Sequence, residues 1–416
     1  MSAAWLDALR RDGRACFEEL GFPTTRLEDW RYTNVAPIAR TAWEPGDPRR
    51  RDVTRAQIEE LSFPVFACNL LVFVNGRFAP DLSALRAGGP EVEVKSLARV
   101  LETAPDALRG LLGALAEPKR AAFTAWNTAH LEDGALVRIP RGVDLDQPIH
   151  LVFVAEPGAA PTASHPRVLV VAEEGSRASL IEDYVSLGAG PFLTNAVSEI
   201  ALEAGAQLEH VRFQREGAEG HHVSVVHARQ ERDSRLVCHS LAFGGVLVRN
   251  DVAVTLVGEG AECVLDGIFL GTGRRHVDNH TLIDHAVPHT TSRELYKGIL
   301  AGRSKGVFHG RIVVRPDAQK TDARQASKNL LLSPGAEIDT KPQLEIHADD
   351  VRCTHGSTIG QLDADALFYL RSRGLDEARA RGLLTRAFAA EVAEAMRFAP
   401  LRERVQDQLL ELLEAA

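Results

Sequence analysis

The spacing of hydrophobic residues changes twice along the chain and divides it into three regions. In residues 1–120, apolar positions first recur every three to four residues, which predicts an amphipathic helix with one buried face. The run NLLVFVNGRF then predicts a strand, an Asn-Gly turn and a second strand. We therefore expect a mixed, mainly helical domain over residues 1–120. The apolar positions of the first helix are Trp5, Leu9, Cys16, Phe17 and Leu20.

Residues 121–362 carry short runs of alternating apolar and polar residues, such as ALVRIP and RVLVVA, typical of strands with one buried face. A turn phrase recurs between the runs, and its glycines lie 30, 55 and 75 residues apart. These gaps are near multiples of about 25 to 30, as a stack of β-coils gives. The spacing favours a β-solenoid core, and a β-sandwich with similar turns is the alternative. The glycines, for which we expect positive φ angles, are Gly175, Gly205, Gly260 and Gly335.

Residues 363–416 return to a helical pattern and predict a C-terminal helical domain. The phrase DADALFYLRSRG begins at a plausible Asp cap and ends at Gly374. Apolar residues then recur every fourth position, which predicts a helix that packs on the solenoid or on its neighbours. Pro400 precedes a last helix. The residues of the apolar stripe are Leu384, Phe388, Val392 and Met396.

Composition narrows the class of protein. A chain of 416 residues suggests two or three domains, and a net charge of −9 argues against a general nucleic-acid binder. We expect neither a signal peptide nor a membrane span, because charges interrupt every long apolar run. The cysteines are scattered without a CxxC pair, so a reducing cytoplasm is the expected location. They are Cys16, Cys68, Cys238, Cys263 and Cys353.

Four histidines stand close together in HVDNHTLIDHAVPH, and imidazoles in this number can bind Zn²⁺ or Fe²⁺. Their spacings of four and five suit neither face of a strand, so loop or strand-surface histidines are the default interpretation. A stand-alone metalloenzyme that uses this run with Cys353 is nevertheless the alternative function. The chain has no GxxxxGK[ST] motif and should not hydrolyse ATP itself. The histidines are His276, His280, His285 and His289.

The phrase DDVRCTHG contains the most suggestive pair. In an extended strand Cys353 and His355 point to the same side, roughly 6.5–7 Å apart along the chain. They can share one iron ion, or a charged His355 can lower the pKa of the thiol. Two ligands are too few for a closed site, so other ligands must come from elsewhere in the fold or from another subunit. A buried structural thiol beside a surface histidine is the alternative.

The region from RSKGVFHGRIVV through KNLLLS, KPQLEI, DDVRCTHG and LFYLRSRG closely resembles the C-terminal core of the SufB/SufD family of iron–sulfur assembly scaffolds. The N-terminal phrase GFPTTRLEDWRYTNV and the run NTAHLEDGALVRIPRGV resemble the SufD branch, and a SufB-type paralogue is the nearest alternative. The resemblance implies a right-handed parallel β-helix between helical ends. It also implies a non-enzymatic scaffold that works in a complex with SufB and the ATPase SufC.

Site residues follow from the same resemblance. It places Cys353 and His355 near the SufB interface, as candidate ligands of a nascent cluster that is bound only transiently in the complex. The lone chain is then expected to hold no tight cofactor. A reduced flavin in the complex and a homodimer of the lone chain stay open alternatives. The resemblance also implies SufC docking at the C-terminal helices, with Leu367, Phe368, Tyr369, Arg371 and Arg373 as candidates.

Overall fold

A computed structural model describes residues 4–47, 52–63, 68–85 and 92–414. The alternating runs form a parallel β-solenoid of about 8 turns with helices before and after it, so the predicted fold class is confirmed. The α-helices are α1 (Ala4–Leu20), α2 (Ala36–Arg40), α3 (Arg55–Leu61), α4 (Leu97–Thr103), α5 (Ala122–Ala129), α6 (Ala364–Ser372), α7 (Glu377–Ala393) and α8 (Ala399–Glu414). Short 3₁₀ helices lie at Glu28–Trp30, Pro105–Leu108 and Pro118–Arg120.

The strands form two sheets, because successive strands of the solenoid alternate between them. In order they are β1 (Glu44–Pro45), β2 (Asn69–Val74), β3 (Arg77–Phe78), β4 (Glu93–Ser96), β5 (Gly134–Ile139), β6 (Ile149–Ala155), β7 (Thr162–Ser164), β8 (Arg167–Ala172), β9 (Arg177–Ser186), β10 (Phe192–Leu202), β11 (Gln207–Gln214), β12 (Gly220–Gln230), β13 (Arg235–Ala242), β14 (Leu247–Leu256), β15 (Glu262–Gly271), β16 (His276–His285), β17 (Thr291–Leu300), β18 (Lys305–Val314), β19 (Asp322–Leu331), β20 (Glu337–Ile346) and β21 (Arg352–Gly360).

The first sheet runs in the order β20-β18-β16-β14-β12-β10-β8-β5-β4, and β1 and β7 join beside it. The second sheet runs in the order β21-β19-β17-β15-β13-β11-β9-β6-β2-β3. From β5 onward, paired residues on neighbouring coils are 26 to 33 residues apart in the sequence. His221 and Leu247 give the shortest spacing, and Gly134 and Arg167 give the longest. This drift explains why the sequence shows only an approximate repeat.

The core lies between the two sheets and is filled by every second residue of each strand. In β14, for example, Val248, Val252 and Val254 are buried in this core. Glycines form the corners: Gly175, Gly205 and Gly260 have φ angles of 66°, 67° and 76°, as predicted. The expectation was wrong for Gly335, which is not among the residues with positive φ. A Cβ there would lie 3.0 Å from the carbonyl oxygen of Gly302, so close packing explains this glycine.

The N-terminal region is built onto the solenoid. Strand β2 pairs with β6 and β4 pairs with β5, so both sheets begin within the first 120 residues. The predicted hairpin is present, with positive φ at Asn75 and Gly76 between β2 and β3. Helix α1 buries Cys16, as expected for a structural thiol, but Leu20 is 46% exposed, against the prediction. The division at residue 120 remains a prediction.

The C-terminal helices α7 and α8 cover the outer face of the second sheet. Val392 and Met396 of the predicted apolar stripe are buried there against Phe213 and Ile268. Lys297 of β17 donates to the carbonyl oxygen of Phe388 at 2.6 Å, which fixes α7 to the sheet. Within the described part of the chain, every helix is too short or too polar to cross a bilayer.

Candidate functional site

The last coil of the solenoid is open. Among the described residues, β20 pairs only with β18 and β21 pairs only with β19, so each strand leaves one backbone edge without a neighbouring strand. Every residue of β21 is exposed except Cys353, which is half-buried. Ile359 is 53% exposed and Ile346 is 41% exposed. An exposed sheet edge with apolar side chains is a surface on which another strand can pair.

Cys353 and His355 lie on the face of β21 that continues the interior of the solenoid. Cys353 packs against the central core, and Ser357 Oγ is 2.9 Å from Thr340 Oγ1 on the opposite strand β20. Since side chains alternate along a strand, His355 points the same way as these two neighbours. It is exposed because no further coil covers it. The structure therefore brings the two predicted ligands to one open surface.

A ladder of in-register residues leads from the buried core to His355. Glu294 pairs with Gln325, and Gln325 pairs with His355 on the next strand. Gln325 Nε2 donates to Glu294 at 2.6 Å. Burial raises the pKa of Glu294 to about 7, although bonds from Thr281 and Gln325 oppose the increase. Sequence reasoning missed Glu294 and Gln325, which lie two coils and one coil before His355. That spacing was the available signal.

The environment of Cys353 favours the protonated thiol. Burial raises its pKa, the carboxylate of Asp322 adds to the increase, and a backbone hydrogen bond from Ala323 opposes it. The sequence allowed two roles for the pair, and one was a thiol whose pKa a charged His355 lowers. The raised pKa of Cys353 argues against that role. Among the described residues, three potential metal ligands lie close together elsewhere in the fold, and neither Cys353 nor His355 is one of them. The pair thus remains an incomplete ligand set in this chain.

The histidine run does not form one site with Cys353. Its first three members lie on β16 in the first sheet, whereas Cys353 lies on β21 in the second. His285 is buried, and its two ring nitrogens lie 2.7 Å from Thr290 Oγ1 and 2.9 Å from Ser292 Oγ. His289 is exposed in a turn with φ 58°. The default interpretation fits His276 and His280 on the strand surface and His289 in the turn; His285 is a buried structural residue.

Helix α6 follows β21 directly and presents an exposed apolar surface. The Asp363 carboxylate accepts hydrogen bonds from the backbone N–H groups of Asp365 and Ala366, so the predicted cap is present. None of the residues of α6 is buried, and Phe368 and Tyr369 are 74% and 56% exposed. Of the other candidate docking residues, Leu367 is half-buried and Arg371 and Arg373 are exposed. Whether this surface binds an ATPase stays a prediction.

Comparisons with known proteins agree with this architecture. Residues 153–388 match the family described as SUF system FeS cluster assembly, SufBD core domain, and residues 1–151 match the SufBD protein N-terminal region. The iron-sulfur cluster assembly SufBD family protein slr0076 of Synechocystis is 33% identical over 95% of this chain and 89% of its own length. The iron-sulfur cluster assembly protein SufD of Escherichia coli is 31% identical over 92% of this chain and 88% of its own length. SufD of Bacillus subtilis is 27% identical over 70% of this chain and 66% of its own length.

The two family matches together cover nearly the whole of the parallel solenoid and the region before it, and they place the chain in a class of iron–sulfur cluster assembly proteins. The chain belongs to the SufB/SufD family. Within that family, the relatives named SufD support the SufD branch.

Proposed function

We propose that this protein is a non-enzymatic scaffold subunit for iron–sulfur cluster assembly, acting in the cytoplasm within a complex of SufB, SufC and this chain. Its membership in an assembly family and its likeness to E. coli SufD support this proposal. The nascent cluster is cargo and is released to other proteins. Cys353 and His355 supply part of its ligands, and SufB supplies the rest.

The open last coil is the observation that carries the proposal. The free edges of β20 and β21 can continue both sheets into a partner, because parallel and antiparallel pairing both use the same backbone donors and acceptors. Such a partner would cover Ile346 and Ile359 and stand directly over the exposed ring of His355. When SufB is absent, a second copy of this chain can occupy the same edges, and the lone chain would then form a homodimer.

The position of α6 supports a route for ATP-driven motion. Three residues, 361–363, separate the end of β21 from the start of α6, so movement of the helix displaces the strand that carries Cys353 and His355. The chain contains no P-loop, and nucleotide hydrolysis must therefore come from SufC. Binding of SufC at Phe368 and Tyr369 would let its nucleotide cycle reshape the cluster-forming interface.

Changing His355 to Ala in the co-expressed complex tests the role in assembly. His355→Ala removes one ligand and leaves the strand pairing intact, so we expect the complex to purify normally with a much lower cluster yield. Iron and sulfide content and the visible absorbance of the complex measure that yield. His347→Ala, which changes an exposed histidine just beyond β20, is the matched control. Full cluster yield in His355→Ala would refute the ligand role.

A further inference from the structure

Two histidines of neighbouring coils meet on the outer face of the first sheet. Val277 and Ile283 of β16 belong to the core, so alternation places His280 on the opposite, outward face. In β18 the core residue is Phe308, which turns His309 outward as well. His280 and His309 are register partners, and their ring centroids lie 4.7 Å apart in an edge-to-face arrangement.

The N-terminal segment is fastened over the same face. Arg249 Nη1 donates to the backbone oxygen of Asp29 at 2.8 Å, and its guanidinium lies 4.2 Å from the ring centre of Trp30. Thr33 Oγ1 donates to Asp278 Oδ2 at 2.5 Å. These contacts leave the Asp29 side chain exposed while they hold its backbone beside the two histidines.

Asp29, His280 and His309 form a group of potential metal ligands. One ligand atom of each lies within 4.8 Å of the other two. His309 as a whole residue is 9% exposed, and its Nε2 is buried with no hydrogen-bond partner among the described residues. A buried polar atom without a partner costs free energy, and a cation at this point would supply the missing interaction.

A carboxylate also lies beside one of the rings. Asp278 Oδ1 is 3.0 Å from Nε2 of His280 and has no hydrogen-bond partner among the described residues. In metal sites a carboxylate in this position accepts a hydrogen bond from a ligand histidine and leaves the second ring nitrogen for the ion. The nearby ammonium of Lys341 is paired with the carboxylate of Glu28, so the region holds charge of both signs. A carboxylate that can act as the second shell of His280 is therefore close to the ring.

We propose that Asp29, His280 and His309 bind one divalent transition-metal ion, which fastens the N-terminal segment to the outer face of the solenoid. Two imidazole nitrogens and one carboxylate oxygen are the donor set of zinc and ferrous sites with one or more positions open to water. This site lies on the first sheet, on the outer face, and is separate from the open coil end that bears Cys353 and His355. Neither the sequence spacing of the histidine run nor the family comparison assigns it.

The geometry needs only a small adjustment to bind the ion. Two ligands of a tetrahedral zinc ion, each about 2.0–2.1 Å away, lie about 3.4 Å apart, so donors that lie within 4.8 Å of one another must approach by up to about 1.4 Å. Rotation of the exposed Asp29 side chain can bring its carboxylate closer, and small rotations of the rings can bring the two imidazoles together.

Calorimetric titration of the chelator-treated full-length chain with Zn²⁺ alone tests the proposal. We expect one saturable equivalent per chain. His309→Gln should weaken its binding by about a hundredfold or more and Asp29→Asn by about tenfold, in line with the loss of a direct ligand or its charge. Tryptic cleavage after the exposed Arg26 and Arg31 should slow on addition of Zn²⁺ in the unmodified chain but not in Asp29→Asn.

Two controls separate this site from other thiols and imidazoles. His347→Gln changes another exposed histidine, and Cys353→Ser removes the thiol of the open coil; both should keep the equivalent that His309→Gln loses. Circular dichroism checks that each variant is folded. If His309→Gln does not fold, Asp29→Asn, which changes an exposed residue, provides the test instead. Absence of saturable binding, or wild-type affinity in Asp29→Asn and His309→Gln, would overturn the proposal. Because cluster yield is not the readout, this result is independent of the scaffold role.

Discussion

Arg167 of β8 and Glu199 of the neighbouring strand β10 form an ion pair in which both side chains are 0% exposed. Nε and Nη2 of Arg167 donate to Glu199 Oε1 at 3.0 and 2.7 Å, and Nη1 donates to Asn127 Oδ1 of α5 at 3.0 Å. Three backbone N–H groups of residues 113–116 donate to the same carboxylate at 2.8 to 3.1 Å. Replacing Glu199 by Gln keeps the shape but leaves the Arg167 charge buried without a counter-ion.

The expected cost follows from burial. Removing one partner of a buried ion pair typically costs about 3–5 kcal/mol. For a chain of this size the urea dependence is at least about 3 kcal/mol per M, so the midpoint of urea unfolding should fall by up to about 1.7 M. Glu173→Gln is the matched control, because Glu173 bonds Arg138 at 2.6 Å on the partly exposed outer surface. Exposed pairs contribute about 0–1 kcal/mol, so this variant should shift the midpoint by at most about 0.3 M.

The pH dependence provides a second check on the same pair. Burial raises the pKa of Glu199, but the charge of Arg167 and the backbone N–H donors outweigh it, so the pKa in the folded protein lies below its ordinary value. The stability from this group is therefore present above about pH 4.3 and is lost as pH falls through the lowered pKa. The difference between the wild type and Glu199→Gln should narrow in acid. Equal urea midpoints at pH 7 would refute the reasoning.

Two further predictions concern the second sheet and α6. Burial raises the pKa of Asp266 to about 6; the charge of His239 opposes the increase, and the charge of Glu391 adds to it. Between about pH 4 and pH 6, Asp266 therefore keeps its proton in the folded protein and loses it in the unfolded chain. The stability of the folded protein therefore falls as pH rises from about 4 to 6. Asp266→Asn should raise the midpoint of urea unfolding at pH 8 but not at pH 4. If the urea midpoints of the wild type and Asp266→Asn changed in parallel with pH, this reasoning would be wrong. Phe368→Ser should abolish co-purification of SufC with the tagged chain and change the free energy of unfolding by less than about 0.5 kcal/mol. Leu27→Ser, at an N-terminal side chain that is 54% exposed, is the control, and undiminished SufC in Phe368→Ser would exclude docking there.

Periodicity predicted the solenoid because each coil repeats the same local requirement, an apolar side chain at every second position and a small residue at corners. Gly205 shows this directly: its φ angle is 67° and a Cβ there would lie 3.8 Å from Gly175 of the preceding coil. Leu20 shows the limit. Its helical spacing is that of a buried residue, but α1 ends there and the last turn is left without a covering neighbour. The spacing of apolar residues in a helix predicts which residues share a face, but it does not predict which part of that face another element covers.

The candidate ligands were predictable only where they are close in sequence. Two positions apart on one strand, Cys353 and His355 share a face by strand geometry alone. By contrast, Asp29 meets His280 and His309 through the path of the N-terminal segment and the register of β16 with β18. A coil length that varies from 26 to 33 residues hides that register in the sequence. The same variation makes the spacing of Glu294, Gln325 and His355 hard to recognise as coil lengths in the sequence.

Alkylation of Cys353 tests most directly whether a second polypeptide covers the open coil. Mass spectrometry would compare its labelling by a maleimide in the lone chain and in the complex with SufB, with Cys68 as internal reference. Both thiols are half-buried, and they lie at opposite ends of the second sheet. The account predicts that Cys353 is labelled in a monomer of this chain and protected in the complex, while labelling of Cys68 stays unchanged. Equal labelling of Cys353 in both states would contradict it.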